Sequence, residues 1–213
     1  MAEKGDQLNS LEDGETVRAF FAIFPPAEVK RAVAEAAENL YNIRTFVSFT
    51  REENLHFTLK FLGEAEVSVL KEAALAIRRI TEEARSFGMR VSGWGCFPGL
   101  RKPRVIWAGA TEGAEESHRL AVELEATLEA FGFPVENRHK PHITVGRVRK
   151  HKMPPVEGPA RLEALLKEAP QDMGSFVVDH IFLMKSVLAP GGSRYEILSR
   201  FPLTGGANTG GEG

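Results

Sequence analysis

A single cysteine, Cys96, excludes an intramolecular disulfide and with it the stapled scaffolds of small secreted domains. No apolar run approaches the ~18 residues that a membrane-spanning helix requires, and the opening Met1-Ala2-Glu3-Lys4-Gly5-Asp6 lacks the apolar core of a secretory signal. A cytoplasmic chain without membrane contact is therefore expected. Large charge of either sign is also missing. The 27 Lys and Arg against 29 Asp and Glu leave a formal net charge of −2, which excludes a generally basic protein but not local patches. Asp179 and the scattered glutamates form no metal-ligand spacing, so no metal or other cofactor is expected. What remains is an ordinary globular composition, 43% hydrophobic in 213 residues, enough for one domain or two small lobes.

What is present is a duplicated stretch. Asn54-Leu55-His56-Phe57-Thr58-Leu59-Lys60-Phe61-Leu62-Gly63 returns in degenerate form as His139-Lys140-Pro141-His142-Ile143-Thr144-Val145-Gly146-Arg147, with His-x-Thr-x shared. Side chains alternate between the faces of an extended strand. His56 and Thr58 therefore share one face, with Leu55, Phe57, Leu59 and Phe61 on the other. His142 and Thr144 are likewise backed by Ile143 and Val145.

Two such strands side by side about a pseudo-twofold axis would make a cleft with two imidazoles and two hydroxyls. Histidine titrates near neutrality, so one ring can take a proton while the other gives one, which suits displacement at phosphorus with an alkoxide leaving group. Threonine hydroxyls can donate to the non-bridging oxygens. Activity is expected to follow a bell in pH with both limbs near neutrality. Charge supports an anionic substrate. Arg138, Lys140, Arg147, Arg149, Lys150 and Lys152 bracket the second motif without an acidic residue among them, and Arg101, Lys102 and Arg104 cluster in a Pro/Gly-rich loop.

In chain order, residues 1–15 are polar and aperiodic and predict a flexible tail. Val17 to Phe24 reads as a buried strand stopped by Pro25-Pro26, after which Val29, Val33, Ala36, Ala37 and Leu40 keep helical spacing. Ile43 to Phe49 reads as a second strand, followed by the first motif strand. Leu70, Ala73, Ala74, Ile77 and Ile80 mark a core-facing helix, Phe87 to Phe97 and Arg104 to Gly109 a hairpin, and Leu120, Leu124 and Leu128 another helix. After the second motif strand come a short helix at Leu162 to Ala169 and strands at Phe176 to Met184 and Tyr195 to Phe201. The Gly-rich end, 203–213, predicts a second flexible tail. The fold class is α+β with mixed or antiparallel sheets, one domain over 16–202.

Phe24-Pro25-Pro26, Glu53 to Glu64, Phe97-Pro98, Pro103-Arg104-Val105-Ile106-Trp107-Ala108-Gly109 and Lys140 to Arg147 resemble the 2H phosphoesterase superfamily, most closely its RNA 2',3'-cyclic phosphodiesterases, also called 2'-5' RNA ligases. The resemblance runs from about Val17 to Phe201. It implies a bilobal fold with two sheets related by a pseudo-twofold axis, helices outside and a cleft between the lobes. It also implies metal-free hydrolysis of a 2',3'-cyclic phosphate, on RNA ends or cyclic nucleotides, to a 2'-phosphomonoester; a monomer is expected. By carry-over His56 is the proton donor, His142 the proton acceptor, and Thr58 and Thr144 bind phosphate. The family often has Leu at Val145 and Ala at Gly146, changes that leave the polar face intact. Reverse reaction as a ligase, or a non-catalytic module binding RNA ends, are the alternatives.

Arg147 matches a substrate-binding arginine of the family, yet strict alternation puts it on the apolar face. A bulge at Gly146 or the strand end would return it to the phosphate. His180, Trp107 and Cys96 are expected to be structural, and His118, His139 and His151 to lie at the surface.

Overall fold

The computed structural model describes residues 7–136, 139–149, 157–189 and 192–205. Among the described residues nine strands and four α-helices follow in the order β1 (Thr16–Ile23), α1 (Ala27–Glu38), β2 (Val47–Phe49), β3 (Phe57–Glu66), α2 (Val67–Glu83), β4 (Phe87–Phe97), β5 (Val105–Ala110), α3 (Ala114–Glu129), β6 (His142–Val148), α4 (Glu157–Glu168), β7 (Asp172–Val178), β8 (His180–Ala189) and β9 (Gly192–Pro202). The expected α1 stripe is buried as predicted: Val29, Val33, Ala36, Ala37 and Leu40 all face inward, with extended Pro26 capping the helix start. Among the described residues no helix is long and apolar enough to cross a membrane.

The strands lie in the order β7-β4-β5-β6-β3-β1-β8-β9, with β2 on the remaining edge of β6, and every registered pair is antiparallel. One lobe is β3-β1-β8-β9 and the other β6-β5-β4-β7. They touch through a single registered pair, Phe57 opposite Ile143. These residues hold the same place in the two motifs, so the pseudo-twofold axis runs between them. Both are fully buried, which turns their neighbours His56, Thr58, His142 and Thr144 to the opposite face. Helices α2 and α3 pack on β3, while α1 rests on β6 and β7 of the other lobe and α4 on β4.

Both motif strands carry a β-bulge at the same motif position. On β3, Thr58 faces Ala22 and Lys60 faces Phe21, leaving Leu59 unmatched. On β6, Thr144 faces Trp107 and Gly146 faces Ile106, leaving Val145 unmatched. The extra residue shifts alternation by one. Lys60 and Gly146 consequently turn inward, and Phe61 and Arg147 outward. Phe61, expected on the apolar face, is 56% exposed. At Gly146 an added Cβ would stand 2.7 Å from Val47 Cγ1, so β2 packs on bare backbone there.

Several expectations are corrected. Ile43 to Phe49 is a 3-10 turn, Tyr41–Ile43, followed by a strand of only three residues. The single strand over Phe176 to Met184 is two, divided at Asp179, where the chain leaves one lobe for the other. The tails are shorter than predicted. Leu8 is 1% exposed and joins the main core, while Lys71 Nζ donates to Leu11 O at 2.9 Å and pairs with Asp13 at 2.7 Å. At the other end Leu203 N donates to Asp179 O and Gly205 N to Ala84 O, each at 2.8 Å. The remainder of both expected tails, 1–6 and 206–213, lies outside the described residues.

Because Leu8 fills a closed site beside α2, Leu8→Ala should lower unfolding free energy by about 2 to 5 kcal/mol. Chemical denaturation measures it. A change within error would mean that residues 7–15 contribute nothing to the core.

Candidate active site

The two motif histidines are held alike. His56 Nδ1 lies 2.7 Å from Asn54 O and His142 Nδ1 lies 2.7 Å from Lys140 O, in each case the carbonyl two residues earlier. A carbonyl only accepts, so both rings carry a proton on Nδ1 and titrate at Nε2. Phe57 opposite Ile143 puts His56 and Thr58 on either side of the joint in one strand and His142 and Thr144 on either side of it in the other. The four side chains are each half-buried on one face.

Beyond this frame the surroundings differ. His56 is walled by Phe20 at 5.0 Å, Phe24 at 5.4 Å and the edge of Tyr195 at 5.2 Å. Its Nε2 is 3.0 Å from Thr58 Oγ1, so the hydroxyl donates to the neutral ring. Protonating Nε2 would reverse that bond and release the hydroxyl proton for another acceptor. His142 meets the edge of Phe97 at 5.0 Å and Trp107 at 6.4 Å. Lys140 Nζ sits 4.5 Å above the Trp107 ring. Trp107, expected in the core, is half-buried on the site face, where its indole covers Gly95 closely enough to exclude any Cβ there.

Burial lowers the His56 pKa to about 4, opposed by the Asn54 carbonyl and reinforced by the charges of Lys30, His142 and Arg147. Burial also lowers His142, opposed by the Lys140 carbonyl and reinforced by Arg147 and Lys140. Both rings are thus neutral near pH 7 in an electropositive cleft, not balanced around neutrality as the bare sequence suggests. Arg147 is exposed on the outward face to which the bulge turns it, and its charge disfavours the protonated form of both imidazoles. Lys30, unnoticed in the sequence, stands 4.7 Å over the Phe24 ring and donates to Glu53 O at 3.1 Å. Among the described residues no three His, Cys, Asp or Glu side chains gather to hold a metal ion.

The approach to the second motif is stitched to the first. Lys60 and Glu125, both buried, pair at 3.2 Å. Lys60 Nζ also donates to Pro134 O at 2.6 Å, and Glu136 N to Glu125 Oε2 at 3.1 Å. His139, expected at the surface, has a half-buried ring whose Nε2 donates to Thr58 O at 3.2 Å. His118 is exposed as expected, His180 pairs with Asp179 at 2.8 Å, and His151 lies outside the described residues. Two hollows flank the histidines. One of about 560 Å³ is bounded by Phe24, Lys30, Asn54 and Tyr195, and one of about 660 Å³ by Trp94, Cys96, Leu100 and Trp107.

Comparison with known proteins gives one answer repeatedly. The LigT like phosphoesterase family matches residues 23–107 and again residues 109–195, one match for each His-x-Thr-x motif. The chain is 33% identical over 190 residues to the RNA 2',3'-cyclic phosphodiesterase of Thermotoga maritima, covering 89% of this chain and 97% of that protein. It is 31% identical over 186 residues to the protein of that name from Methanocaldococcus jannaschii, covering 87% of this chain and all of the other. Among solved structures, TT0787 of Thermus thermophilus superposes with a TM-score of 0.72 at 33% identity, covering 89% of this chain and 99% of that one. E. coli LigT complexed with 3'-AMP superposes with a TM-score of 0.71 at 28% identity over the same shares.

The imidazole geometry is testable without any substrate. In ¹⁵N NMR of the free protein both rings should show Nδ1–H tautomers at pH 7, and His56 should take up its proton only as pH falls toward about 4. An Nε2–H tautomer, or a His56 midpoint near the unperturbed ~6.5, would contradict the arrangement.

Proposed function

The chain belongs to the LigT-like phosphoesterase family, and from that premise we propose that it hydrolyses the 2',3'-cyclic phosphate of RNA ends and nucleotides to a 2'-phosphomonoester. The observation that carries this reading is the pair of half-buried imidazoles, one from each lobe, both held through Nδ1 by a backbone carbonyl, with His56 Nε2 bonded to Thr58 and both rings within the field of Arg147. The names of relatives that match nearly end to end support the substrate class.

His142 takes the proton of the attacking water at Nε2. As the new P–O bond forms, the P–O3' bond breaks, and His56 Nε2 delivers its proton to O3'. Acid and base thus flank phosphorus from opposite lobes, as in-line displacement requires. Thr58 and Thr144 donate to the non-bridging oxygens, and Arg147 sets its forked cation against the same charge. Acid–base chemistry of this kind involves no metal.

His56 is neutral in the free protein near pH 7, so it takes its catalytic proton from solvent once substrate is bound: a phosphodiester anion in the cleft offsets Lys30 and Arg147 and raises the pKa of both rings. Protonated His56 ceases to accept from Thr58, which frees that hydroxyl for phosphate. After each turnover the proton on His142 returns to His56 through solvent. The exposed Phe61 ring, beyond Phe20 on the same face, is a surface on which the terminal base can stack. We further propose a cytoplasmic monomer, in keeping with the free, buried thiol of Cys96.

His56→Ala and His142→Ala should each lower kcat about 10²- to 10⁴-fold on a nucleoside 2',3'-cyclic phosphate with EDTA present, while leaving thermal stability near that of the parent. Chromatography of the product should show the 2'-phosphate alone. Release of the 3'-isomer, or a parent enzyme that chelation silences and zinc restores, would overturn the reading.

A further inference from the structure

Arg147 and Arg149 of the second basic run meet Arg101, Lys102 and Arg104 of the other on one surface, while Arg138, Lys150 and Lys152 lie outside the described residues. Val148 N donates to Arg104 O at 2.9 Å and Arg149 N to Phe46 O at 2.7 Å. These bonds gather the loop after β4, the far end of β6 and the segment before β2. Arg101, Lys102, Arg104, Arg147, Arg149 and Arg44 are exposed there. Among the described residues none of the six is engaged in an ion pair. The carboxylate of α4 facing this loop, Glu163, is already paired with Lys167 at 2.8 Å. Cations left unpaired at a surface repel one another and are relieved by a polyanion.

The pseudo-twofold axis supplies a control within the molecule. Phe61 occupies in β3 the place of Arg147 in β6, and beyond it the lobe-one strand ends set Arg18 opposite Glu64, with Lys185 paired to Glu15 at 2.9 Å. That end is charge-compensated and the lobe-two end is not. The site is nearly symmetric in its reacting groups and asymmetric in what surrounds them, with an aromatic wall on lobe one and a cationic strip on lobe two.

We propose that the strip on lobe two, running outward from Arg147 through Arg149 and Arg104 to Arg101 and Lys102, binds the backbone phosphates of the RNA that precedes the reacting end, while the terminal nucleoside lies against lobe one. The strip gives the polymer a direction across a pseudo-symmetric cleft. It rests on the function proposed above for the reactive end. Binding there is uniform between ground and transition states, so it acts on KM for long substrates and leaves the chemical step alone.

The test compares the parent with a triple variant, Arg101→Gln, Lys102→Gln and Arg149→Gln, none of which touches the histidines. A mononucleoside 2',3'-cyclic phosphate should be turned over equally by both. For a short oligoribonucleotide with the same end, KM should rise in the variant, and the slope of log KM against log salt should fall by about 0.7 for each phosphate contact removed. Fluorescence anisotropy of a labelled single-stranded RNA ending in a plain 3'-hydroxyl reads the strip without any turnover, and the variant should bind it more weakly. Equal anisotropy curves and an unchanged salt slope would overturn the proposal, as would an equal KM increase for mono- and oligonucleotide. If the parent cleaves no cyclic phosphate, the function fails but the anisotropy comparison still decides the strip.

Discussion

One backbone contact governs this molecule: the pairing of Phe57 with Ile143 where the two lobes meet. A single antiparallel pair is a weak joint by itself. Its strength comes from the side chains, both fully buried, and from the stitches around it. Lys60 holds Glu125 and Pro134 O, and His139 holds Thr58 O. A buried ion pair of this kind adds little net stability against an apolar alternative, yet removing either partner strands a charge. Its effect here is to fix where the approach to the second motif lies against the first. Since Phe57 and Ile143 are flanked by the four polar motif residues, the same joint sets the spacing of the two imidazoles.

The paired bulges are the second constraint. Without the extra residue at Leu59 and Val145, alternation would drive Arg147 into the core and leave Lys60 exposed. With it, each strand gains an outward group at the cleft margin, an aromatic on one lobe and a guanidinium on the other. The two halves repeat the same strand and the same bulge, and differ in the group that the bulged position turns outward.

Much of this was legible in the sequence because it is local. The stripe Val29, Val33, Ala36 and Ala37 predicts α1, and His-x-Thr-x with apolar intervals predicts both motif strands. The bulges are not local, since an unmatched residue exists only relative to a partner strand. The parity conflict at Arg147 was a usable signal, and applied to the other motif copy it points equally to Phe61. Asp179 gives no sign that the chain changes lobes there, because both flanking segments have strand composition. Leu8 was hidden by its polar neighbours, although one buried leucine is enough to fix a short segment. That Arg101 and Arg149 share a surface follows from the hydrogen bonds of Arg104 and Phe46, which no spacing encodes.

Electrostatics ties the site to its substrate. Burial and surrounding cations keep both imidazoles neutral in the free protein, so for His56 to act as the acid the bound anion must raise its pKa enough for the ring to take up a proton from solvent. The pH dependence of kcat/KM follows the free enzyme and that of kcat the complex. Because a bound phosphodiester raises both histidine pKa values, the bell for kcat should lie at higher pH than the bell for kcat/KM, with the latter centred below the unperturbed histidine value of ~6.5. Coincident profiles, or a kcat bell displaced to lower pH, would contradict this coupling of proton to substrate.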